Sequence, residues 1–314
     1  MKPPRLRPGA LVGLVAPGGV LEERHIESSV RNLEGMGLRV KLARNIRAAH
    51  GGYAGTVAQR VDDLHAMFRD PEVSAIWCAR GGSGCTALLP HLDYALMRRA
   101  PRIVVGFSDA TALHLALLRR AGLASFHGPA AISTFSDYSV ANLRAVLMEP
   151  ERRRTFEAAA ENVARAAEQP QYERRTYVEG VAVGPLLGGN LSVLSAMVGT
   201  PYGPAAGRSL LFLEEVGEAP YRIDRMLTQL GQAGILGAAT GTMLGVFQRC
   251  EATDGEPSLT LQEVLREHFG GSPRPAGYGY SFGHIAQQMT LPIGIRARLD
   301  TRAQTLTLLE PAVS

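Results

Sequence analysis

The chain has 314 residues, of which 46% are hydrophobic and 20% are charged, and its formal net charge is +4. This length allows two domains of ordinary size, and the composition is that of a globular protein and excludes a disordered or fibrous one. The positive charge is spread along the chain. Its densest run, three arginines at 152–154, has glutamates on both sides, which favours a solvated surface over a nucleic-acid site.

The sequence carries few signals of targeting or cross-linking. No apolar run reaches the roughly 18 residues that a membrane span needs, and the N-terminal segment does not resemble a secretory signal. The three cysteines, Cys78, Cys85 and Cys250, are too few for a disulfide framework. We therefore expect a cytoplasmic protein with neither a membrane nor a nucleic acid as its partner.

Short apolar runs alternate with amphipathic segments in the first half of the chain. This pattern predicts strands at 11–16, 38–42, 73–79 and 102–106, and helices at 22–36, 56–68 and 111–120. Strands that alternate with helices imply right-handed crossovers and a parallel sheet. We predict an α/β N-terminal domain over residues 1–150.

The second half begins with a change in composition. Residues 149–179 are charged and rich in alanine, and we predict a connector at 151–178 followed by a C-terminal domain at 179–314. Within that domain the pattern predicts helices at 191–197 and 223–231, strands at 209–214 and 242–247, and an antiparallel pair at 293–299 and 305–309.

The sharpest local feature is a serine between a buried strand and a helix. The apolar run at 102–106 ends in Gly106, Ser108 follows two residues later, and helical sequence begins almost at once. This is the arrangement of a nucleophile elbow, in which a tight turn lifts the serine out of the sheet and aims backbone N–H groups at one point. The match is partial, because Ala110 stands where the usual motif has glycine. The alternative is that Ser108 or Asp109 only caps the helix.

A serine nucleophile needs a base and a group that orients the base. Of the eight histidines, His127 and His284 lie in contexts that suit a cleft, and spacing alone does not choose between them. The apolar run 210–213 ends in Glu214 and Glu215, and a carboxylate at the end of a strand is well placed to orient an imidazole. Alternation puts these two glutamates on opposite faces of the strand. A solvated strand end is the alternative.

Eight short motifs in order give the chain its resemblance to a known family. They are found at residues 13–17 (GLVAP), 79–82 (ARGG), 106–111 (GFSDAT), 126–129 (FHGP), 188–191 (GGNL), 213–215 (LEE), 220–225 (PYRIDR) and 282–284 (FGH). Through them the sequence resembles the LD-carboxypeptidases, a group of serine peptidases that includes the microcin C self-immunity peptidases. The resemblance runs through nearly the whole chain.

The resemblance implies a fold and a site. The fold is a flavodoxin-like N-terminal domain with a parallel sheet, followed by a smaller, β-rich C-terminal domain. Ser108 matches the nucleophile, Glu214 the acid and His284 the base, while the N–H groups of Gly82 and Asp109 match the oxyanion hole. The serine comes from the first domain and the other two from the second. Family members release D-alanine from a murein tetrapeptide during cell-wall recycling, with no metal or other cofactor, and we expect a homodimer.

Two further residues are candidates for recognising the substrate. Arg80 is a candidate because a guanidinium can bind the terminal carboxylate that a carboxypeptidase must recognise, and Asn190 is a second candidate. Ser83 and Phe107 depart from the family pattern, which often has tyrosine at both places. These departures leave open whether the substrate is a murein peptide or an aminoacyl-nucleotide conjugate, as for an immunity-type amidase. A non-catalytic binding protein on the same fold is the remaining alternative.

Other chemistries fit the sequence less well. The glycines at 13–19 do not match a dinucleotide-binding fingerprint. Cys78 and Cys85 lack histidines at zinc spacing, so we expect buried thiols. Cys85 could act as a nucleophile, as in glutamine amidotransferases of related architecture, but its neighbours do not form an elbow.

Overall fold

The computed structural model describes residues 1–252 and 257–314. It divides the chain into two units. The first contains Met1–Pro150, Thr290–Gly294 and Pro311–Ser314, and the second contains Glu151–Met289 and Ile295–Glu310. Two short C-terminal segments thus return to the first unit.

The regular elements are numbered in chain order. The strands are β1 Leu11–Val15, β2 Arg39–Leu42, β3 Val73–Cys78, β4 Ile103–Gly106, β5 Ser125–His127, β6 Arg154–Phe156, β7 Arg175–Val178, β8 Val181–Asn190, β9 Leu210–Glu214, β10 Gly241–Val246, β11 Ala276–Gly283, β12 Leu291–Ile293, β13 Arg296–Asp300 and β14 Thr305–Leu308. The helices are α1 Glu23–Gly35, α2 Val57–Arg69, α3 Tyr94–Arg99, α4 Thr111–Ala116, α5 Asp137–Leu147, α6 Ala160–Arg165, α7 Leu191–Ala196, α8 Pro220–Gln232, α9 Ile235–Ala238 and α10 Leu261–Phe269.

The sheet of the first unit has the strand order β12-β5-β4-β3-β1-β2. Strands β1 to β5 are parallel, and their order 2-1-3-4-5 is that of flavodoxin-like folds. Strand β12 pairs antiparallel with β5 at the edge. The central strands are apolar and buried on both faces, as parallel strands covered by helices must be. The predicted flavodoxin-like domain is therefore confirmed.

Local sequence signals explain where the helices of this unit begin and end. Helix α2 begins after Thr56, whose hydroxyl accepts from the N–H of Gln59 while the Gln59 side chain accepts from the Thr56 N–H. This reciprocal capping box satisfies two backbone donors at the helix start. The helix predicted at 111–120 is α-helical only over α4 and continues as a π-helical turn over Leu117–Ala121.

The second unit contains an eight-stranded sheet with the order β6-β14-β13-β8-β9-β10-β11-β7. Its four central strands, β8 to β11, are parallel, and the strands on either side of them pair antiparallel. The predicted antiparallel C-terminal pair corresponds to β13 and β14. The predicted strand 293–299 is interrupted at Gly294, and its first part belongs to β12 in the other unit.

The segment predicted to be a connector is part of the second unit. Residues 151–178 contain β6, α6 and β7, and the two strands form the edges of the eight-stranded sheet. Phe156 and Tyr172 from this segment are buried. Edge strands of three and four residues are too short to show alternation, and the segment around them is rich in charges, which is why composition alone suggested a linker. None of the helices in the described ranges has the length and apolarity to cross a membrane.

Candidate active site

Ser108 lies in a strained turn at the end of a buried strand. All four residues of β4 are buried, and the chain turns sharply after Phe107. Ser108 has φ of 61°, in the left-handed region, which costs a residue other than glycine about 1–3 kcal/mol. A short 3₁₀ turn, Ser108–Ala110, then leads into α4. This is the backbone of a nucleophile elbow despite Ala110 in the glycine position.

A glycine loop lies directly against the Ser108 side chain. A Cβ on Gly81 would lie 2.8 Å from Cβ and 2.9 Å from Oγ of Ser108, so only glycine fits there. The carbonyl of Gly81 accepts a hydrogen bond of 2.9 Å from the N–H of Gly19. The exposed Gly82 follows, and Asp109 follows the serine. The predicted oxyanion donors thus stand in the two segments that border Ser108, and their role stays a prediction.

The side chain of Asp109 does not cap the helical segments that begin at Ser108 and Thr111. Neither the 3₁₀ turn nor α4 has a side-chain cap at its N-terminus. Instead, Asp109 Oδ2 accepts a hydrogen bond of 2.9 Å from the N–H of Cys85. Burial, together with the nearby Asp109 charge, raises the pKa of the Cys85 thiol well above its usual value. A buried thiol that resists ionisation is a poor nucleophile, which argues against Cys85 as the reactive group.

Two other polar side chains of the first unit belong to the segments around this turn. Arg80 is half-buried, and its Nη1 donates to the carbonyl of Val20 at 3.1 Å. His114 is fully buried between Ser125 Oγ and the carbonyl of Gly106, each 2.9 Å from a ring nitrogen, and burial lowers its pKa to about 4. His114 is therefore neutral at pH 7 and supports the strand end that precedes Ser108.

The rival base, His127, is the last residue of β5. It is fully buried, and its ring packs edge-on against Phe107 with the ring centroids 6.1 Å apart. Phe107, which stands where the family often has tyrosine, thus contributes to the packing around His127. A fully buried imidazole in an aromatic contact is poorly placed to meet a substrate.

In the second unit, Glu214 and His284 form a hydrogen-bonded pair. Glu214 is the last residue of β9 and is fully buried, and its Oε2 lies 2.7 Å from Nδ1 of His284. His284 follows Gly283, the last residue of β11, which has φ of 113°. A Cβ on Gly283 would lie 3.1 Å from Cβ of Glu214, so glycine allows the two strand ends to approach closely.

The electrostatics of this pair suit a general base. Burial lowers the pKa of His284, but the charge and hydrogen bond of Glu214 raise it, and the net effect is a raised pKa. In the neutral ring, Nδ1–H donates to the carboxylate, which leaves the lone pair on Nε2 as the proton acceptor. The pair therefore has the base-and-orienter relationship of a catalytic triad.

Glu215 has a different environment from its neighbour. Its carboxylate accepts four hydrogen bonds of 2.7–2.9 Å, from Asn190 Nδ2, the N–H and hydroxyl of Ser192, and the N–H of Val216. Burial raises its pKa, although these donors oppose the effect. Glu215 is thus a fully partnered structural carboxylate that ties β9 to the start of α7. The sequence analysis did not predict this hydrogen-bond network. The local sequence feature that points to it is the asparagine at the end of β8 followed by the serine near the start of α7.

Asn190, predicted to bind substrate, takes part in the same network. Its Oδ1 accepts from the N–H of Val193 at 3.2 Å and its Nδ2 donates to Glu215, so the side chain caps α7 and is buried. These contacts account for its presence without a ligand, and substrate binding by Asn190 stays a prediction. Within the two described ranges, no group of three or more metal-ligating side chains is positioned to hold a metal ion.

Comparison with known proteins shows the family to which the chain belongs. The sequence profile described as LD-carboxypeptidase N-terminal domain matches residues 12–128, and that described as LD-carboxypeptidase C-terminal domain matches residues 183–299. A probable murein peptide carboxypeptidase of Bacillus subtilis is 36% identical, covering 100% of this chain and 95% of the relative. The murein tetrapeptide carboxypeptidase of Pseudomonas aeruginosa is 34% identical over 92% of both chains.

Solved structures agree at the level of the fold. The wild-type apo structure of the microcin C7 self-immunity protein MccF superposes with a TM-score of 0.90 over 100% of both chains at 21% sequence identity. At that identity the likeness concerns the fold alone. The profiles and the relatives together confirm the resemblance seen in the sequence: the chain is a peptidase that belongs to the LD-carboxypeptidase family.

Proposed function

We propose that this peptidase is a serine-type LD-carboxypeptidase that releases the terminal D-alanine from murein tetrapeptide in cell-wall recycling, with Ser108, Glu214 and His284 as its triad. The observation that carries the proposal is the 2.7 Å contact between His284 Nδ1 and the fully buried Glu214. A buried carboxylate that fixes one histidine tautomer is the support a serine nucleophile needs. The names of the two murein peptidase relatives support the substrate class.

The mechanism follows the general chemistry of acyl transfer. Ser108 Oγ attacks the carbonyl carbon of the scissile amide while Nε2 of His284 takes the hydroxyl proton. Glu214 stabilises the imidazolium that forms. The N–H groups of Asp109 and Gly82 donate to the developing oxyanion, which preorganised donors stabilise most in the transition state. His284 then returns the proton to the amine of the leaving D-alanine.

The second half of the reaction uses the same groups. Water attacks the acyl ester on Ser108, His284 accepts a proton from that water, and collapse of the intermediate returns the proton to Ser108. Recognition of a C-terminal residue requires a cation for its carboxylate. Arg80 is the proposed partner, because a planar guanidinium binds a carboxylate in a bidentate manner.

The test is the release of D-alanine from purified murein tetrapeptide, measured with a D-amino-acid-specific coupled assay. The matched control substrate is the same peptide ending in L-alanine, and the matched control protein is Ser108→Ala. We expect the shortened peptide, followed for both substrates by mass spectrometry, from the first substrate only, and a loss of several orders of magnitude in the variant. Turnover of the variant within about tenfold of the parent would exclude the serine mechanism.

An aminoacyl-nucleotide conjugate supplied in parallel separates the alternative substrate. Preferential hydrolysis of the conjugate would replace the murein assignment without touching the triad. Binding of both compounds with no turnover would favour a non-catalytic binding protein. The proposal also includes a homodimer in the cytoplasm, for which sedimentation of the purified protein and fractionation of the source cells are the direct tests.

A further inference from the structure

One peptide group in the first unit is held by buried charges on both sides. The carbonyl of Gly84 accepts a hydrogen bond of 3.1 Å from Nη1 of Arg60, and the N–H of the same peptide, which belongs to Cys85, donates to Oδ2 of Asp109 at 2.9 Å. Arg60 is 3% exposed and Asp109 is 4% exposed. A cation and an anion are thus linked through a single peptide plane in the protein interior. We call Arg60, Asp109 and the peptide between Gly84 and Cys85 the peptide clamp.

Arg60 also reaches a second loop. Its Nη1 donates to the carbonyl of Pro17 at 2.7 Å, and its guanidinium lies 5.2 Å from the centre of the Tyr53 ring. Pro17 follows β1, whereas Gly84 follows β3, so one side chain from α2 joins the segments after two neighbouring strands of the sheet. These two segments also bond to each other through the N–H of Gly19 and the carbonyl of Gly81.

The clamped segment is the one that lies on the nucleophile. Gly81 is packed so closely on Ser108 that a Cβ there would collide with the serine side chain. Gly82, the proposed oxyanion donor, lies between this contact and the clamp. Asp109 is covalently next to Ser108, so its carboxylate joins the nucleophile turn to the end of the glycine loop. A shift of the clamped peptide would therefore move Gly82 relative to Ser108.

Physical considerations make this link rigid. Hydrogen bonds to charged groups are roughly twice as strong as neutral ones, and a buried charge that loses its partner is costly. The left-handed conformation of Ser108 also persists only when its surroundings over-determine it. A pair of buried charges on one peptide supplies such a constraint from both sides.

We propose that Arg60 and Asp109 are positioning residues that hold the Gly81–Gly82 segment at the correct place over Ser108 through the peptide clamp. This inference rests on the proposed function, since it assigns to the clamp the placement of the proposed oxyanion donor. Neither side chain takes part in proton transfer. Their effect is on the geometry in which the oxyanion is stabilised.

The test uses disruptive and conservative variants of both residues in the full chain. Arg60→Met and Asp109→Ala remove the bonds to the peptide, whereas Arg60→Lys and Asp109→Asn keep a donor or an acceptor. We expect each disruptive variant to lower kcat about 100-fold, because a displacement on the order of 1 Å at a reacting centre lowers the rate by about that factor. KM should stay within about threefold of the parent value. The conservative variants should regain most of the loss. The double disruptive variant should lose no more than the worse single variant, because both act on the same peptide.

Matched controls separate positioning from general loss of stability. Asp63 is a buried carboxylate of the same unit that accepts hydrogen bonds from the Asn45 N–H and side chain, and Asp63→Ala should leave kcat near that of the parent. Arg102 is a half-buried arginine that donates to the backbone carbonyl of Asp70, and Arg102→Met is the control for Arg60→Met. Thermal unfolding of every variant confirms that the compared proteins are folded.

A readout independent of turnover tests the clamp itself. Cys85 is 1% exposed, so its alkylation by iodoacetamide, located by mass spectrometry, should be slow in the parent. We expect alkylation at least tenfold faster in Arg60→Met, where loss of the cation would by itself raise the pKa of the thiol and slow the reaction. Arg60→Lys should show a smaller increase, and the two controls should react at the parent rate.

The outcomes distinguish this inference from the proposed function. Disruptive variants with kcat within twofold of the parent, beside an inactive Ser108→Ala, would overturn the inference and leave the function standing. Single losses that multiply in the double variant would overturn it too, since the residues would then act separately. Retained turnover in Ser108→Ala would overturn the proposed function and the catalytic role of the clamp with it. Unchanged Cys85 alkylation in Arg60→Met would exclude the clamp whatever the reaction.

Discussion

Replacing Glu214 by glutamine tests the central feature of the proposed site. Glu214 Oε2 lies 2.7 Å from His284 Nδ1, and glutamine keeps the shape of the side chain while removing its charge. If the amide NH₂ faces the ring, it donates to Nδ1 and forces the proton onto Nε2, so the ring can no longer act as a base. If the amide oxygen faces the ring, the tautomer is preserved but the imidazolium loses its counter-charge. Turnover falls in either orientation.

The size of the loss follows from the charge pair. Two unit charges about 4 Å apart at an effective dielectric of about 20 interact by about 4 kcal/mol. At 1.36 kcal/mol for each tenfold change in rate, this corresponds to about 10³-fold in kcat. The wrong tautomer would extend the loss to about 10⁴-fold, which is typical when the acid of a triad is neutralised. KM should change little, because Glu214 is buried and holds the base.

The pH profile gives a second and independent signature. The reaction needs neutral His284, whose pKa is raised above its usual 6.5 by Glu214, so kcat/KM of the parent should fall as the pH drops through a value above 6.5. In Glu214→Gln the lowering effect of burial remains and the main raising effect is gone, so the acid limb should move to lower pH.

The same pKa gives the sign of a stability effect. A histidine whose pKa is raised by folding contributes stability that is fully present below its unfolded pKa and is lost as the pH rises through its folded pKa. The stability of the parent relative to Glu214→Gln should therefore be greater at pH 6 than at pH 9, measured by urea unfolding.

The assay is D-alanine release over pH 5–9 with Glu215→Gln, the adjacent buried carboxylate, as the matched control. A kcat for Glu214→Gln within about tenfold of the parent, with an unshifted acid limb, would refute the assignment of Glu214 as the orienting acid.

Three further predictions concern neighbouring groups. His284→Ala should eliminate turnover, measured by steady-state kinetics, while His127→Ala should mainly lower the unfolding temperature. A larger loss of turnover in His127→Ala than in His284→Ala would place the base in the first unit. Glu215→Gln should destabilise the protein by about 1–3 kcal/mol, because either amide orientation sets NH₂ against a backbone N–H that cannot rotate, yet its kcat should fall far less than that of Glu214→Gln. Treatment with EDTA should leave D-alanine release unchanged, and inactivation that zinc reverses would show that we have assigned the wrong class of site.

The fold could be predicted from sequence where the signal was local and long enough. Strands β1, β3 and β4 are continuous apolar runs, and their alternation with helices is by itself enough to indicate a parallel sheet. The edge strands β6 and β7 were missed because they have only three and four residues, and each carries a half-exposed arginine. The pairing of β12 with β5 in the first sheet was missed for a related reason. The two strands are far apart in sequence, and three residues are too few to indicate which strand they pair with.

The candidate site shows the same division between local and distant signals. The turn at Ser108 could be predicted because strand, serine and helix are adjacent in sequence. The Glu214–His284 contact could be assigned only through family resemblance, since it joins the ends of β9 and β11 with β10 between them. Residue spacing does not encode strand order, and for that reason it left His127 and His284 undecided.

Two consecutive glutamates at the end of β9 illustrate what alternation does and does not determine. Alternation predicted that Glu214 and Glu215 lie on opposite faces of the strand, and the two carboxylates do have different partners. Both side chains are buried, so the alternative of a solvated strand end is wrong for each. The carboxylate of Glu215 is held by four neutral donors, which stabilise its charge in place. Glu214 instead directs its charge at His284, and it raises the pKa of that histidine more than Glu215 does. Since the two side chains are chemically identical, their different effects arise from their partners, and the acid limb should shift more in Glu214→Gln than in Glu215→Gln.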